Sequence, residues 1–305
     1  MSTPAPDYFH DDSLYLPPGS VIDEFVVERA LAGGGFSLVY LGQRLSDRKP
    51  VVIKEYFPRK LATRAPDQTV QPRDDESRRN LTRGLMHFLE EARVLVRLKH
   101  PNLPEVLSFF QANATAYLAM NYYYGRVLTE YVMGRQGRFS EQFLLRVFGA
   151  LLDGLEEIHS HGLLHLDITP QNILIQPGGS PILLDFGAAR PYPNTLNWKP
   201  GKVLSKGFSP VEQYNSESQL GPWSDLYAFG ASLRACLDGG APPAAPERAR
   251  HDTLEPAVQA YSQHYSADLL AAIDWAMGIE PEQRPQSVAQ LRAAFPRPAA
   301  SAQGE

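Results

Sequence analysis

Cysteine is nearly absent from this 305-residue chain, and the one that is present, Cys236, cannot form an internal disulfide. Its neighbours Leu233 and Leu237 make its thiol read as a small buried hydrophobe rather than a reactive group. No run approaches the roughly 18 to 20 apolar residues needed to cross a bilayer. The opening residues, among them Pro4, Asp7, Asp11 and Asp12, lack the basic-then-apolar pattern of an export signal. A soluble, cytoplasmic polypeptide is expected. An excess of positive charge is missing too: 29 Lys plus Arg face 34 Asp plus Glu, for a net charge of -5. That balance offers no broad attraction for nucleic acid or anionic lipid. Internal repeats and long low-complexity runs are also lacking. What is present is a hydrophobic fraction of 43%, enough for the core of one large domain or two small ones.

The pattern changes partway along. Val21 to Glu28, Ser37 to Gly42 and Val51 to Phe57 are β-branched or aromatic-rich runs separated by turn-forming residues, which predicts an antiparallel meander. Leu81, Leu85, Phe88, Ala92 and Leu95 then recur at spacings of three and four, the mark of a helix with one apolar face. Between these lies a long polar connection, 59 to 79, expected to be mobile. Thr115 to Tyr123 returns to strand character. After Gly125 helices dominate. One is capped by Ser140 and runs toward His159, with Gly162 beyond its end; others cover Asp225 to Leu237, Ala267 to Gly278 and Ser287 to Phe295, the last opened by a capping box from Ser287 to Gln290. Asn172 to Gln176 and Pro181 to Asp185 read as a hairpin turning through Gly178 and Gly179.

Three stretches carry chemistry. Ala32, Gly33, Gly34, Gly35, Phe36, Ser37 and Val39 form a glycine cluster between two strands, where small residues let backbone N–H groups approach a polyphosphate, although an ordinary turn reads the same way. Lys54 is a charge set in the apolar strand Val51, Val52, Ile53, where an unpaired ammonium would be costly; it needs an anionic partner, Glu91 or a phosphate, unless it snorkels to water. His165, Leu166, Asp167, Ile168, Thr169, Pro170, Gln171, Asn172 and then Asp185, Phe186, Gly187 supply two carboxylates and an amide on adjoining loops. Phosphoryl transfer needs such groups, a base for the incoming hydroxyl and oxygen ligands for Mg²⁺.

Here the sequence resembles the protein kinase family, over about residues 21 to 297 and with its elements in the family's order. The resemblance implies an α+β bilobal fold: a small antiparallel β-rich N-lobe with one main helix (21–125), a larger mainly helical C-lobe (126–297), and tails at 1–20 and 298–305. It implies a serine/threonine protein kinase using ATP and Mg²⁺, with Mn²⁺ as a substitute, on protein substrates. Carried over by position, Lys54 contacts the α and β phosphates, Glu91 fixes Lys54, and Asp167 is the catalytic base. Asn172 and Asp185 are the metal ligands, Met120 is the gatekeeper, and Asn121 and Tyr123 form the adenine-binding hinge. Glu212 and Arg284 are an expected buried ion pair, and Asp225 buttresses the catalytic loop. The segments Ile53 to Pro58 and Lys206 to Tyr214 resemble those of a bacterial subgroup.

Three departures bear on mechanism. The outer family glycines are Ala32 and Ser37. Leu166 replaces the arginine that clamps a phosphorylated activation loop, so activity independent of phosphorylation at Thr195, Ser205 or Ser209 is expected. Thr169 replaces a lysine that neutralises the γ-phosphate, a loss of roughly 3 kcal/mol in the transition state. Counting back from Glu212 places Ser205 opposite the catalytic aspartate and Lys206 next to it, so Lys206 is the candidate substitute cation; a solvated loop lysine is the other reading. Two other functions share the pattern: a pseudokinase scaffold, and a small-molecule phosphotransferase.

Overall fold

The computed structural model describes residues 12–135, 139–193 and 204–298. The chain divides into two compact units, Met1–Leu98 with Glu105–Tyr123, and Lys99–Pro104 with Tyr124–Glu305. Thr195 lies outside the described residues.

The first unit contains β1 (Val21–Ile22), β2 (Phe25–Gly33), β3 (Ser37–Arg44), β4 (Pro50–Tyr56), β5 (Ala62–Arg64), β6 (Val70–Pro72), α1 (Asp75–Leu95), β7 (Val106–Ala112) and β8 (Thr115–Asn121). Six strands form one antiparallel sheet in the order β1-β2-β3-β4-β8-β7. The run expected as one strand over 21–28 is broken at Asp23, whose φ of 51° turns the chain back so that β1 pairs with β2. Side chains alternate across a strand, so Leu38 and Tyr40 of β3 and Val51 and Ile53 of β4 enter a core with Phe25, Val27 and Tyr117. Lys54 therefore takes the other face. Tyr15 and Leu16, in the stretch expected to be a tail, are buried in this core. Along α1 the deepest residues are Leu89, Ala92 and Leu95, while Leu81, Leu85 and Phe88 are only half-buried.

The connection expected to be mobile is instead a β5–β6 hairpin tied down by a buried charge. Glu55, fully buried on β4, accepts hydrogen bonds from Tyr40 Oη (2.6 Å), Tyr117 Oη (2.8 Å) and Arg64 Nη2 (2.6 Å). Arg64 in turn donates to the carbonyls of Leu14 (2.7 Å) and Gln68 (3.0 Å) and lies over the Phe57 ring. A buried carboxylate persists only when its lone pairs are satisfied, so the network fixes the hairpin to the sheet. Burial, reinforced by the Glu55 charge, raises the hydroxyl pKa values of Tyr40 and Tyr117. Raised phenols stay protonated in the fold while the unfolded chain ionises near pH 10. Their contribution is thus complete below pH ~10 and is lost as pH rises through the folded values. Melting temperature should fall between about pH 10 and 11, and less steeply for Tyr40→Phe; a flat profile, or equal slopes, would contradict this.

The second unit contains β9 (Arg126–Val127), α2 (Leu128–Arg135), α3 (Glu141–Ser160), β10 (Leu163–Leu164), β11 (Ile173–Ile175), β12 (Pro181–Leu183), β13 (Arg190–Pro191), α4 (Pro222–Asp238), α5 (Ala245–Arg250), α6 (Ala257–Ala260), α7 (Ala267–Ala276) and α8 (Val288–Ala294). Ser140 caps α3 by accepting from Phe143 N. Leu144, Phe148, Leu151, Leu152, Leu155 and Ile158 form its buried face. The β11–β12 hairpin turns at Gly178 (φ 95°) and Gly179 (φ 89°), values that favour glycine. Helix α4 is buried over nearly its whole length, and α3, α7 and α8 pack against it. Cys236, on α4, is fully buried, and burial pushes its thiol up. At α8 the box is modified: Ser287 Oγ accepts from Gln290 N, but Gln290 Oε1 accepts from Gln286 N. Among the described residues no helix is long and apolar enough to cross a membrane.

Candidate active site

The catalytic loop is held by its backbone. Asp225, fully buried on α4, accepts from the amides of His165 (2.8 Å) and Leu166 (2.7 Å) and bonds His159 Nε2 (2.8 Å). Burial alone would raise its carboxyl; the bond and charge of His159, with the Leu166 amide, outweigh that and hold it below the usual range. Leu166 takes φ 61°, a left-handed conformation that costs a leucine roughly 1 to 3 kcal/mol. Its carbonyl accepts from Gln213 Nε2 (2.9 Å), and that of Ile168 accepts from Ser232 Oγ (3.1 Å). His165 accepts the Asp167 amide at Nδ1 (3.2 Å) and faces the Leu184 carbonyl with Nε2 (3.1 Å), which assigns its proton to Nε2. Asp167 is thus presented by a frame that does not involve its own side chain.

Both Asp167 oxygens are engaged. Oδ1 accepts from Ser205 Oγ at 2.6 Å, and Oδ2 from Asn172 Nδ2 at 2.8 Å. Asn172 Nδ2 also donates to the Asp167 carbonyl (2.9 Å), so both amide protons serve Asp167 and Asn172 Oδ1 is the side-chain oxygen left to face a cation. The Asn172 carbonyl accepts from Leu184 N (2.7 Å), which brings Asp185 beside it. Asp185 is exposed, with φ 58°, and its Oδ1 accepts from Gly187 N (3.0 Å). Phe186 packs against the His165 ring at 4.9 Å. One amide oxygen and one carboxylate suit Mg²⁺, which takes few protein ligands and fills its shell with water and phosphate oxygens. Among the described residues there is no group of three or more His, Cys, Asp or Glu placed to hold a metal.

In the first unit, Lys54 is 9% exposed between Val39 of β3 and Leu118 of β8, its cross-strand partners. Glu91 is half-buried on α1. Ala32 and Gly33 pair with Val39 and Leu38, and Gly34, Gly35 and Phe36 make the turn to Ser37. A side chain at Gly33 would displace the Arg59 guanidinium and the Tyr15 hydroxyl, which are bonded to each other at 2.6 Å. At Gly35 a Cβ would meet nothing within 4 Å and at Gly34 only a carbonyl at 3.9 Å. Packing therefore demands nothing of these two. Met120 pairs with Val52 and Val106. Asn121 N donates to the Glu105 carbonyl (3.0 Å), and Tyr123 Oη accepts from Glu105 N (3.0 Å).

The activation segment is anchored from behind. Glu212 receives a bidentate pair from Arg284, Nη1 to Oε1 at 2.7 Å and Nη2 to Oε2 at 3.1 Å, with Ser224 Oγ on Oε1 at 2.8 Å. Ser205 meets Asp167, as counting back from Glu212 placed it. Lys206 follows it, but its side chain is 79% exposed and its ammonium pairs with Glu247 Oε1 at 3.2 Å. Leu166 is 3% exposed in an apolar cluster with Leu164 and Leu220. Sequence reasoning missed Gln213, Ser232 and His159. Each acts on a distant backbone group or buried carboxylate, and only Ser232, a polar residue in the apolar stretch from Leu226 to Leu233, gives a signal.

A sheet unit with a strand lysine and a helical unit whose catalytic loop joins an Asp-Phe-Gly turn define the α+β bilobal kinase fold. The model of the protein kinase domain family matches residues 25–294, and the chain belongs to that family. It is similar to serine/threonine-protein kinase D of Synechocystis sp., 28% identical over 224 residues covering 70% of this chain and 40% of that protein. For pkn3 of Myxococcus xanthus the identity is 31%, over 71% of this chain and 38% of that protein. For PknK of Mycobacterium tuberculosis it is 32%, over 85% and 22%. The chain spans at most 40% of the length of these relatives. Among solved structures, "PpkA-294 apo form" superposes with a TM-score of 0.80 at 35% identity, covering 93% of this chain and all of that one.

Proposed function

We propose that this chain transfers the γ-phosphate of ATP to serine or threonine hydroxyls of protein substrates, and does so without phosphorylation of its activation segment. The observation that carries this reading is the Ser205 hydroxyl donating to Asp167 Oδ1 at 2.6 Å: the carboxylate stands where it takes the proton of a serine hydroxyl while Asn172 holds its other oxygen. The acceptor oxygen bonds to the γ-phosphorus, the bond to the bridging oxygen breaks, ADP leaves with the electron pair, and the acceptor's proton passes to Asp167. Asn172 and Asp185 would hold Mg²⁺, which neutralises phosphate charge when bound. Lys54, steadied by Glu91, would bind the α and β phosphates, with Gly34 and Gly35 giving their backbone. Met120, Asn121 and Tyr123 would line the adenine.

Thr169 carries no charge, so the γ-phosphate needs another cation, and Lys206 is our candidate. Its exposed pair with Glu247 is of a class worth up to about 1 kcal/mol, a small barrier to exchange for a phosphate. A leucine in the apolar cluster at position 166 offers a phosphorylated loop no partner. The reading extends to action in the cytoplasm, the compartment that supplies ATP. Phosphatase-treated protein with ATP and Mg²⁺ should label generic protein substrates on serine and threonine, at a rate within about twofold of untreated protein, and should leave aminoglycosides and choline unlabelled. Label on the small molecules alone would establish a small-molecule phosphotransferase. Loss of transfer after phosphatase treatment would overturn loop independence.

A further inference from the structure

The second unit carries a cavity of about 460 Å³ beside the catalytic loop. Its lining includes Val132 and Met133 of α2, Thr169 and Gln171 of the catalytic loop, and Ser205 and Phe208 of the activation segment. Ser205 is the residue whose hydroxyl touches Asp167, so the cavity adjoins the point where an acceptor hydroxyl must lie. An extended peptide advances about 3.3 Å per residue. Side chains within about three residues of the acceptor therefore reach it.

The walls are preformed. Gly207 has φ 88°, and a Cβ there would lie 2.5 Å from the Pro242 carbonyl, so the Ser205–Gly207 turn sits directly against the chain beyond α4. Ser205 N is bonded to Ser209 Oγ (3.0 Å), and α4 ends on Gly239 in the left-handed region. Val132 is 4% exposed, whereas Met133 is 72% exposed, an unbranched, adaptable side chain on the rim.

The charge of the cavity selects its occupant. Among the described residues no carboxylate lines it, and the one charged lining residue is Lys206. Of the described carboxylates on the bordering elements, Glu130 is paired with Arg126 at 3.0 Å, Asp238 with Arg234 at 2.7 Å and Glu247 with Lys206 at 3.2 Å, while Asp167 has both oxygens engaged by Ser205 and Asn172. A basic side chain entering would lose hydration and meet only another cation. An apolar one would gain burial, worth roughly ten- to a hundredfold in affinity for a leucine or methionine.

We infer that this cavity recognises an apolar side chain of the protein substrate within about three residues of the acceptor, excludes lysine and arginine there, and has Met133 as a specificity determinant. The inference rests on the proposed protein kinase activity. Positional-scanning peptide libraries with labelled ATP test it on wild-type protein, Met133→Glu, and Met86→Glu as an exposed methionine elsewhere. At one position near the acceptor, wild-type protein should prefer Leu or Met over Arg by at least about tenfold. Met133→Glu should erase or invert that preference at the same position, and Met86→Glu should preserve it. Transfer with no apolar preference, a basic preference in wild-type protein, or equal profiles for wild-type and Met133→Glu would overturn the inference alone. Transfer to no peptide and no protein would remove the kinase reading together with it.

Discussion

Asp167→Asn should lower phosphate transfer by between about a hundred- and ten-thousandfold, with nucleotide affinity and melting temperature nearly unchanged. The substitution is close to isosteric, but an amide cannot accept the proton that, in the proposed mechanism, the carboxylate would take from the incoming hydroxyl. The fold should tolerate it because the loop is positioned through backbone groups, by Asp225 on the amides of residues 165 and 166, Gln213 on the Leu166 carbonyl and Ser232 on the Ile168 carbonyl. Steady-state kinetics beside nucleotide titration and a thermal melt separate the effects. A loss below tenfold would remove Asp167 from its catalytic role, and a collapsed melt would show that its side chain is structural.

Arg284→Ala should destabilise the protein by roughly 3 to 5 kcal/mol, because it leaves Glu212 charged, buried and without its bidentate partner. It also removes donors to the carbonyls of Gly278 and Ile279 and a cation stacked 4.8 Å from the Tyr227 ring. A drop in melting temperature of about 10 °C is expected, whereas Arg44→Ala, at an exposed pair with Asp47, should change it little. Activity should fall as well, since Glu212 anchors the segment that carries Ser205 and Gln213 to the catalytic loop. Equal melting curves for the two variants would contradict the ranking.

Ser205 shows how far sequence reasoning reaches. Its place opposite Asp167 follows from counting within an ordered motif, and the 2.6 Å contact occurs there. The long helices were legible because their apolar periods run over many turns. The β5–β6 hairpin was not: its strands are three residues each, too short for alternation to register, and the ion pair that pins it joins Glu55 to an arginine in a segment that reads as polar loop. The left-handed backbone at Leu166 and Asp185 was equally hidden, since leucine disfavours it and aspartate, which tolerates it, adopts it at few of its positions. Lys206 was legible as a neighbour of Ser205, but its pairing with Glu247 depends on how α5 packs.

The most direct measurement is the fate of γ-labelled ATP incubated with Mg²⁺ and a generic protein substrate, using wild-type protein and Asp167→Asn in parallel. The account predicts label in phosphoserine and phosphothreonine for wild-type protein and almost none for the variant. Equal label from both proteins, or none from either while both bind nucleotide, would contradict it.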